Sequence, residues 1–360
     1  MLKRLPTALL SIALLLNVGL VKADRLILPA LEQDGLESSL LLDIGIAGQR
    51  LVAVGEQGVI IFSDDEGNNW QQAKVPVSAM LTGVNFLSPT RGWAVGHDGI
   101  MLSSGDTGST WQLVLDGNQL NTMRVKAIEE SLAELSTKVD GDPLDIETLE
   151  YQLEDAQFAV EEGASSPLLD VLFLDSKKGF AVGAYGLLIE TEDAGVNWQY
   201  TGHKLPNPEG LHLNRLFFTK QGELFVLGEA GLLLKSNDQG LSWKSLSLPY
   251  GGSFFSMLES ENLYLMGLRG NALKRTNVDA WEKIKLPIKS TINDAVEVDG
   301  DVYLVGQGGV LLQKTVSGFA AFSKRGLLSY SAVTYVGDQL IAVGEAGVTK
   351  IAVEENTGNE

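Results

Sequence analysis

Few residues in this chain are of a type and spacing that could do covalent chemistry. Among its 360 residues there is no cysteine, which excludes thiolate nucleophiles, disulfides and zinc sites built on sulfur. The three histidines, His97, His203 and His212, form no helix-spaced metal pair, and neither a Gly-x-Ser-x-Gly elbow nor a phosphate loop is present. Tyr185 and Glu229, a phenol and a carboxylate, carry nothing in their spacing that marks them as a nucleophile pair, and two arginines, Arg215 and Arg269, could grip an anion. No metal or cofactor is called for.

The elements that must position these residues repeat along the chain. Seven times an apolar strand ends in Gly-x-x-Gly and a second apolar strand follows: Gly55/Gly58, Gly96/Gly99, Gly183/Gly186, Gly228/Gly231, Gly267/Gly270, Gly306/Gly309 and Gly344/Gly347. First glycines are 41, 87, 45, 39, 39 and 38 residues apart, the outlier being one repeat plus an insertion. Each unit but the last holds four short strand-like runs. Such units predict an all-β fold, a seven-bladed β-propeller of four-stranded blades carrying an inserted α-helical hairpin. The last unit supplies only three strands, so a closing strand from the N-terminal region, Leu26–Ala30, is expected to complete it.

Four units carry Ser/Thr-x-Asp-x-Gly-x-x-Trp after the third strand, with Asp65 and Trp70, Asp106 and Trp111, Asp193 and Trp198, and Asp238 and Trp243. This is the Asp-box, or BNR repeat. Its chemistry is that of a hairpin: the carboxylate accepts backbone N–H groups of its own turn, glycine supplies a positive φ, and the indole pins the turn to the sheet. The four copies therefore read as structural, not catalytic. A decayed fifth copy holds Thr276, Asp279 and Trp281, and the sixth unit has lost the motif.

With strands running outward from the axis, the Asp-boxes lie on one face and the Gly-x-x-Gly turns on the other. The second face collects the candidate binding residues His97, Asp98, Tyr185, Glu229, Arg269, Gln307 and Glu345 from turns, and Arg215 and Tyr330 from starts of inner strands. The insertion, 117–166, must rise from this face. Ile128, Leu132, Leu135 and Val139, then Ile146, Leu149, Leu153, Ala156 and Val160, step by three and four. Asp140-Gly141-Asp142-Pro143 breaks the helix between them. The result is an antiparallel helical hairpin with arms about 25 Å long. It holds 12 acids against Arg124, Lys126 and Lys138. It reads either as a solvated insertion with an internally satisfied seam or as a docking arm.

Acidic residues outnumber basic ones 46 to 27, a formal net charge of −19, which argues against a nucleic-acid partner. Lys3 and Arg4, the apolar run Leu9–Val21 and Val21-Lys22-Ala23 read as a signal peptide over 1–23. The expected order is then blades one and two over 24–116, the hairpin over 117–166, blades three to seven over 167–353, and a polar tail, 354–360. After cleavage no membrane span remains, and the chain is expected to be soluble and periplasmic or otherwise exported.

Segments such as Gly92-Trp93-Ala94-Val95-Gly96-His97-Asp98-Gly99 and Gly179-Phe180-Ala181-Val182-Gly183-Ala184-Tyr185-Gly186, each running into an Asp-box, resemble the photosystem II stability/assembly factor family over roughly Leu40–Val353 outside the hairpin. The resemblance implies an exported seven-bladed propeller that binds a newly made membrane-protein subunit without catalysis. The implied client is a photosystem subunit or, in non-photosynthetic bacteria, a transporter such as an exporter of the resistance-nodulation-division type. Two features depart from the family: the strong acidity with scattered arginines, and the hairpin. Asp-boxes also occur in sialidases, so a glycan-active protein, hydrolase or lectin, is the alternative. Against it, the Arg-Ile-Pro segment of sialidases is absent and only Arg215 and Arg269 fall near the mouth.

Overall fold

The second strand of each unit is apolar apart from a polar first residue in three, Arg50, Asp301 and Gln339, and in Gly92–Gly96, Gly179–Gly183, Leu224–Gly228 and Leu263–Gly267 every residue is buried. A continuous apolar run is what a strand covered on both faces requires, and a blade sandwiched between two others covers it. The computed structural model, which describes residues 25–137, 143–322 and 326–353, has six four-stranded antiparallel sheets and one three-stranded sheet, in chain order around the ring. The innermost strands, Leu41–Ala47, Leu81–Phe86, Leu168–Phe173, Leu213–Phe218, Phe254–Glu259, Ile292–Val298 and Tyr330–Val336, pack side by side, the last against the first. This is the expected seven-bladed propeller. Its core is divided into seven wedges, one between each pair of neighbouring blades.

The glycine pairs follow from backbone geometry. A Cβ on the first glycine of each pair would collide with the carbonyl that precedes the inner strand of the same blade, as Gly183 would with Pro167. The second glycine of each pair has φ between +65° and +82°, where L side chains are strained. Each inner strand also has a register shift around its second residue, a bulge that bends the strand and re-aims its later side chains.

In the four Ser/Thr-x-Asp-x-Gly-x-x-Trp turns the hydroxyl and carboxylate hydrogen bonds are the same from copy to copy. In the first, the Ser63 hydroxyl donates to Asp65 at 2.9 Å and accepts the Gly67 N–H at 2.9 Å, while Asp65 accepts the Asn69 N–H at 2.8 Å. The indole N–H of Trp70 donates to the Gly67 carbonyl at 3.2 Å and that of Trp111 to the Gly108 carbonyl at 3.0 Å, a bond the two later copies lack. Trp198 departs from this pattern: its indole nitrogen is buried without a partner, and the ring stands edge-on to Phe173, which stacks on Trp93 at 3.9 Å. In the decayed copy Asp279 instead pairs with Lys235 at 3.2 Å and Lys244 at 2.6 Å.

The seventh blade closes differently from the expectation. It has three strands, Tyr330–Val336, Gln339–Gly344 and Gly347–Ala352, and among the described residues none pairs as a fourth. Leu26–Ala30 lies instead over the wedge between blades one and two. The Ala30 N–H donates to Val75 and the Ser78 N–H to Arg25, and Arg25 pairs with Asp98 at 2.9 Å. Among the described residues ahead of the first strand, Leu36–Ser38 reaches blade seven, where Leu36 enters the closing wedge. Apolar packing of Leu41, Ile44 and Leu51 against Ala332, Ile341 and Val343 shuts the ring, so no hydrogen-bonded fourth strand is needed there. Residues 1–23, Val139 to Asp142 and the tail 354–360 lie outside the described residues.

Candidate functional site

Two helices, α1 (Gly117–Ser136) and α2 (Pro143–Glu162), form the hairpin. Asp116 starts α1 by accepting the Asn118 and Gln119 N–H groups at 2.9 and 3.0 Å, and Gln119 accepts the Asp116 N–H at 3.1 Å in return, a reciprocal cap. At the base, Asn121 Nδ2 donates to the Ala159 and Gly163 carbonyls. Leu120, Ile128, Leu149 and Ala156 are buried in the wedge between blades two and three, so the hairpin is seated on the ring. The seam expected through Ala156 and Val160 runs through Ala156 and Ala159: Val160 is exposed, because Asn121 must reach the Ala159 carbonyl and only a small residue permits that approach. On the outer side of α2, Tyr151 and Phe158 are 63% and 59% exposed.

The candidate residues of the Gly-x-x-Gly face take several roles. Asp98 is buried with φ 59° and held by Arg25. His97, beside it, is half-buried, its N–H donating to the Met80 carbonyl at 2.8 Å. Glu229 accepts the His212 N–H at 2.9 Å and Glu345 accepts the Ser329 N–H at 3.0 Å, and Glu56 does the same for Leu40 at 3.0 Å. These carboxylates fasten each turn to the start of its inner strand. Arg269 and Gln307 are exposed, and Arg269 stands at φ 57°. Tyr330 is half-buried, and burial pushes its phenol up.

Tyr185 is exposed, at φ 56°. Its ring meets His212 edge-on at 4.9 Å, and His212 Nδ1 lies 3.8 Å from Glu229. His212 thus touches both the Tyr185 ring and the Glu229 carboxylate.

Arg215 sits at the axis, and its partners were not apparent from spacing. It lies 3.6 Å from Asp170, 3.9 Å from Asp43 and 4.0 Å from Asp294. All four occupy the third position of their inner strands, where the seven blades carry Asp43, Gly83, Asp170, Arg215, Ser256, Asp294 and Ala332. Superposing the inner strands by their register is the signal that finds them. Each carboxylate also takes a backbone N–H from the next blade: Asp43 from Val84, Asp170 from Leu216 and Asp294 from Val333, at 2.9, 2.8 and 3.0 Å. Burial pushes Asp43 up to about 7, with Arg215 opposing, and raises Asp170 likewise. Burial alone would lower Arg215, but the three carboxylates outweigh it and raise it above the usual range. The ring is an electrostatic clasp between blades, committed to itself.

Among the described residues no group of His, Asp or Glu could hold a metal ion, and no helix is long and apolar enough to cross a membrane. The sequence matches the family described as photosynthesis system II assembly factor YCF48 over residues 32–147 and 152–251. No curated protein matches it. Among solved structures it is similar to YCF48 bound to a D1 peptide, at 16% identity and TM-score 0.62, covering 91% of this chain and 100% of that one. YCF48 from Cyanidioschyzon merolae aligns at 16% identity and TM-score 0.60, covering 88% and 96%. The extracellular domain of a proposed one-component system from B. thetaiotaomicron aligns at 10% identity and TM-score 0.59, covering 91% of this chain and 39% of that one. Those likenesses carry the fold; the sequence match, spanning blades on both sides of the hairpin and more than half of the residues, carries the family: this chain belongs to the photosynthesis system II assembly factor YCF48 family.

Proposed function

We propose that this protein is a non-catalytic, exported propeller of the periplasm that binds an envelope or membrane protein, a transporter or photosystem subunit, and aids its assembly or stability. The Gly-x-x-Gly face and the hairpin make the contact. One observation carries this reading: α2 presents Tyr151 and Phe158, seven residues apart and therefore on one side of the helix, to solvent, on an arm with seven acids and no basic residue. Aromatic anchors inside a charged rim are the composition of a binding patch. Membership in a family of assembly factors, one of whose structures is described as holding a peptide, supports it.

The test is site-specific photo-crosslinking in the native cell. A photoreactive residue at Tyr151 should capture a membrane or envelope protein, and one at Leu241, 79% exposed on the opposite face, should not. Equal capture at both positions, or none at Tyr151, would refute the reading, as would recovery of the protein from the cytoplasm.

A second reading draws on the Tyr185–His212–Glu229 grouping, which could activate a phenol for glycan chemistry. Turnover of an aryl glycoside or sialoside, abolished by Tyr185→Phe and by Glu229→Gln, would establish it in place of the first.

A further inference from the structure

Arg124 of α1 is 8% exposed, and among the described residues it forms no ion pair. The Tyr200 hydroxyl lies beside it in the wall of one cavity, and its Nε is buried without a partner. A cation taken out of water without a counter-charge is costly, and proteins rarely retain one unless something compensates it. Of the seven buried side-chain polar atoms without a partner among the described residues, four lie in this seam between hairpin and blade three: Arg124 Nε, Gln152 Oε1, Thr201 Oγ1 and His203 Nδ1.

The seam is not closed. A cavity of about 120 Å³ lies between the hairpin and blade three, with Arg124, Gln152 and Tyr200 in its wall. At ~30 Å³ per water this is room for about four waters, or for a solute of about five heavy atoms. Its charges are segregated: the buried cation is inside, while Asp155 and Glu209, which also line it, are exposed. A simple anion would satisfy Arg124 but meet these two carboxylates, and a simple cation would meet them but leave Arg124 unpaired. A molecule bearing both charges on neighbouring atoms fits both.

We propose that this cavity binds a small zwitterion of the α-amino-acid type, its carboxylate on the Arg124 guanidinium and its ammonium toward Asp155 and Glu209. Gln152 supplies the remaining hydrogen bonds from α2, and the Tyr200 hydroxyl supplies another from blade three. Because α1, α2 and blade three each contribute a wall, an occupied site ties the hairpin to the ring. The inference stands independently of the proposed client.

The probe is glycine, with acetate and methylammonium as single-charge controls, titrated into the full chain while the Arg124 Nε–H resonance is followed by 15N NMR and binding by calorimetry. Glycine should shift the resonance saturably, with both controls at least tenfold weaker. The Asp155→Asn, Glu209→Gln double variant, altered only at exposed positions, should lose about tenfold in glycine affinity and none in acetate affinity. Arg124→Gln should abolish binding of glycine; Arg124→Lys, which keeps the buried charge and safeguards against misfolding, should weaken it. Absence of any glycine-dependent shift would mean a hydrated cavity only and overturn the proposal. Acetate binding as tightly as glycine, or glycine binding unaffected by the double variant, would overturn it too.

Discussion

Asp170 Oδ2 accepts the Leu216 N–H at 2.8 Å and lies 3.6 Å from Arg215 Nε, so one oxygen of blade three holds both the backbone and the side chain of blade four. Asp43 and Asp294 make the same backbone bond at two other blade junctions. The axis of the ring is therefore fastened by carboxylates that depend on one cation. Replacing Arg215 by Met should destabilise the protein by about 2–3 kcal/mol, less than the ~3–5 kcal/mol that breaking a fully buried pair costs, because Arg215 is one-third exposed. Urea denaturation at pH 7 measures it. A loss below about 0.5 kcal/mol would mean the clasp is idle.

Asp43 gives that clasp a pH dependence. Its folded value of about 7 is above its ordinary 3.8, so between these values the native state holds a proton that the unfolded state has released. Its contribution is full below about pH 4 and is lost as pH rises through 7. Stability measured from pH 4 to 8 should fall less steeply with rising pH in Asp43→Asn than in the parent; identical slopes would contradict the assignment.

The Asp-bearing turns have the opposite sign. Hydrogen bonds from Asn69 hold Asp65, and hydrogen bonds from Ser242 hold Asp238, down at about 2. Their contribution is present above 3.8 and disappears as pH falls through about 2. Thermal melts at pH 5, 3.5 and 2.5 should show the midpoint falling across that window, and less so in an Asp65→Asn, Asp238→Asn variant.

Position within the repeat separates two kinds of glycine. Gly183→Ala puts a methyl group into the Pro167 carbonyl, whereas Gly222, at φ 85°, has open space around it. The first substitution should cost about 1–3 kcal/mol through overpacking and the second about 1 kcal/mol through backbone strain alone. Paired thermal unfolding of the two variants checks the order.

Much of this architecture was legible in the residues because backbone sterics leave a mark on sequence. Gly183 is glycine because nothing else fits beside Pro167, and such positions recur in every blade. The partners of Arg215 left no such mark: Asp43, Asp170 and Asp294 come from three blades, and only the common register of inner strands brings them to the axis. Leu26–Ala30 carries strand-forming residues whichever wedge it covers, so its place over blades one and two depended on the Arg25–Asp98 pair and on backbone partners distant in sequence. In the hairpin, three-and-four spacing located the helices but left Val160 and Ala159 undistinguished until Asn121 required close approach.

His203 reports on the seating of that hairpin. Its Nε2 lies 2.8 Å from Ser131 of α1, and its ring stacks on Tyr200. Burial, aided by Lys204, pulls it down to about 4, although Glu134 and Asp145 line the neighbouring cavity. A base held neutral in the fold costs nothing above its ordinary 6.5 and increasingly destabilises the native state as pH falls from 6.5 toward 4. NMR titration of the ring should find it neutral at pH 5.5; an ordinary midpoint near 6.5 would mean the hairpin is not seated as described.

The most direct test of the central claim is client affinity with and without the exposed aromatics of the arm. Once the crosslinked client is identified and purified, its dissociation constant is measured against the parent and a Tyr151→Ala, Phe158→Ala variant, whose positions are 63% and 59% exposed and make no core contact. Truncating two interface anchors should weaken binding by at least tenfold while the unfolding midpoint stays unchanged. Equal affinity for both proteins would contradict a client-binding role for the hairpin.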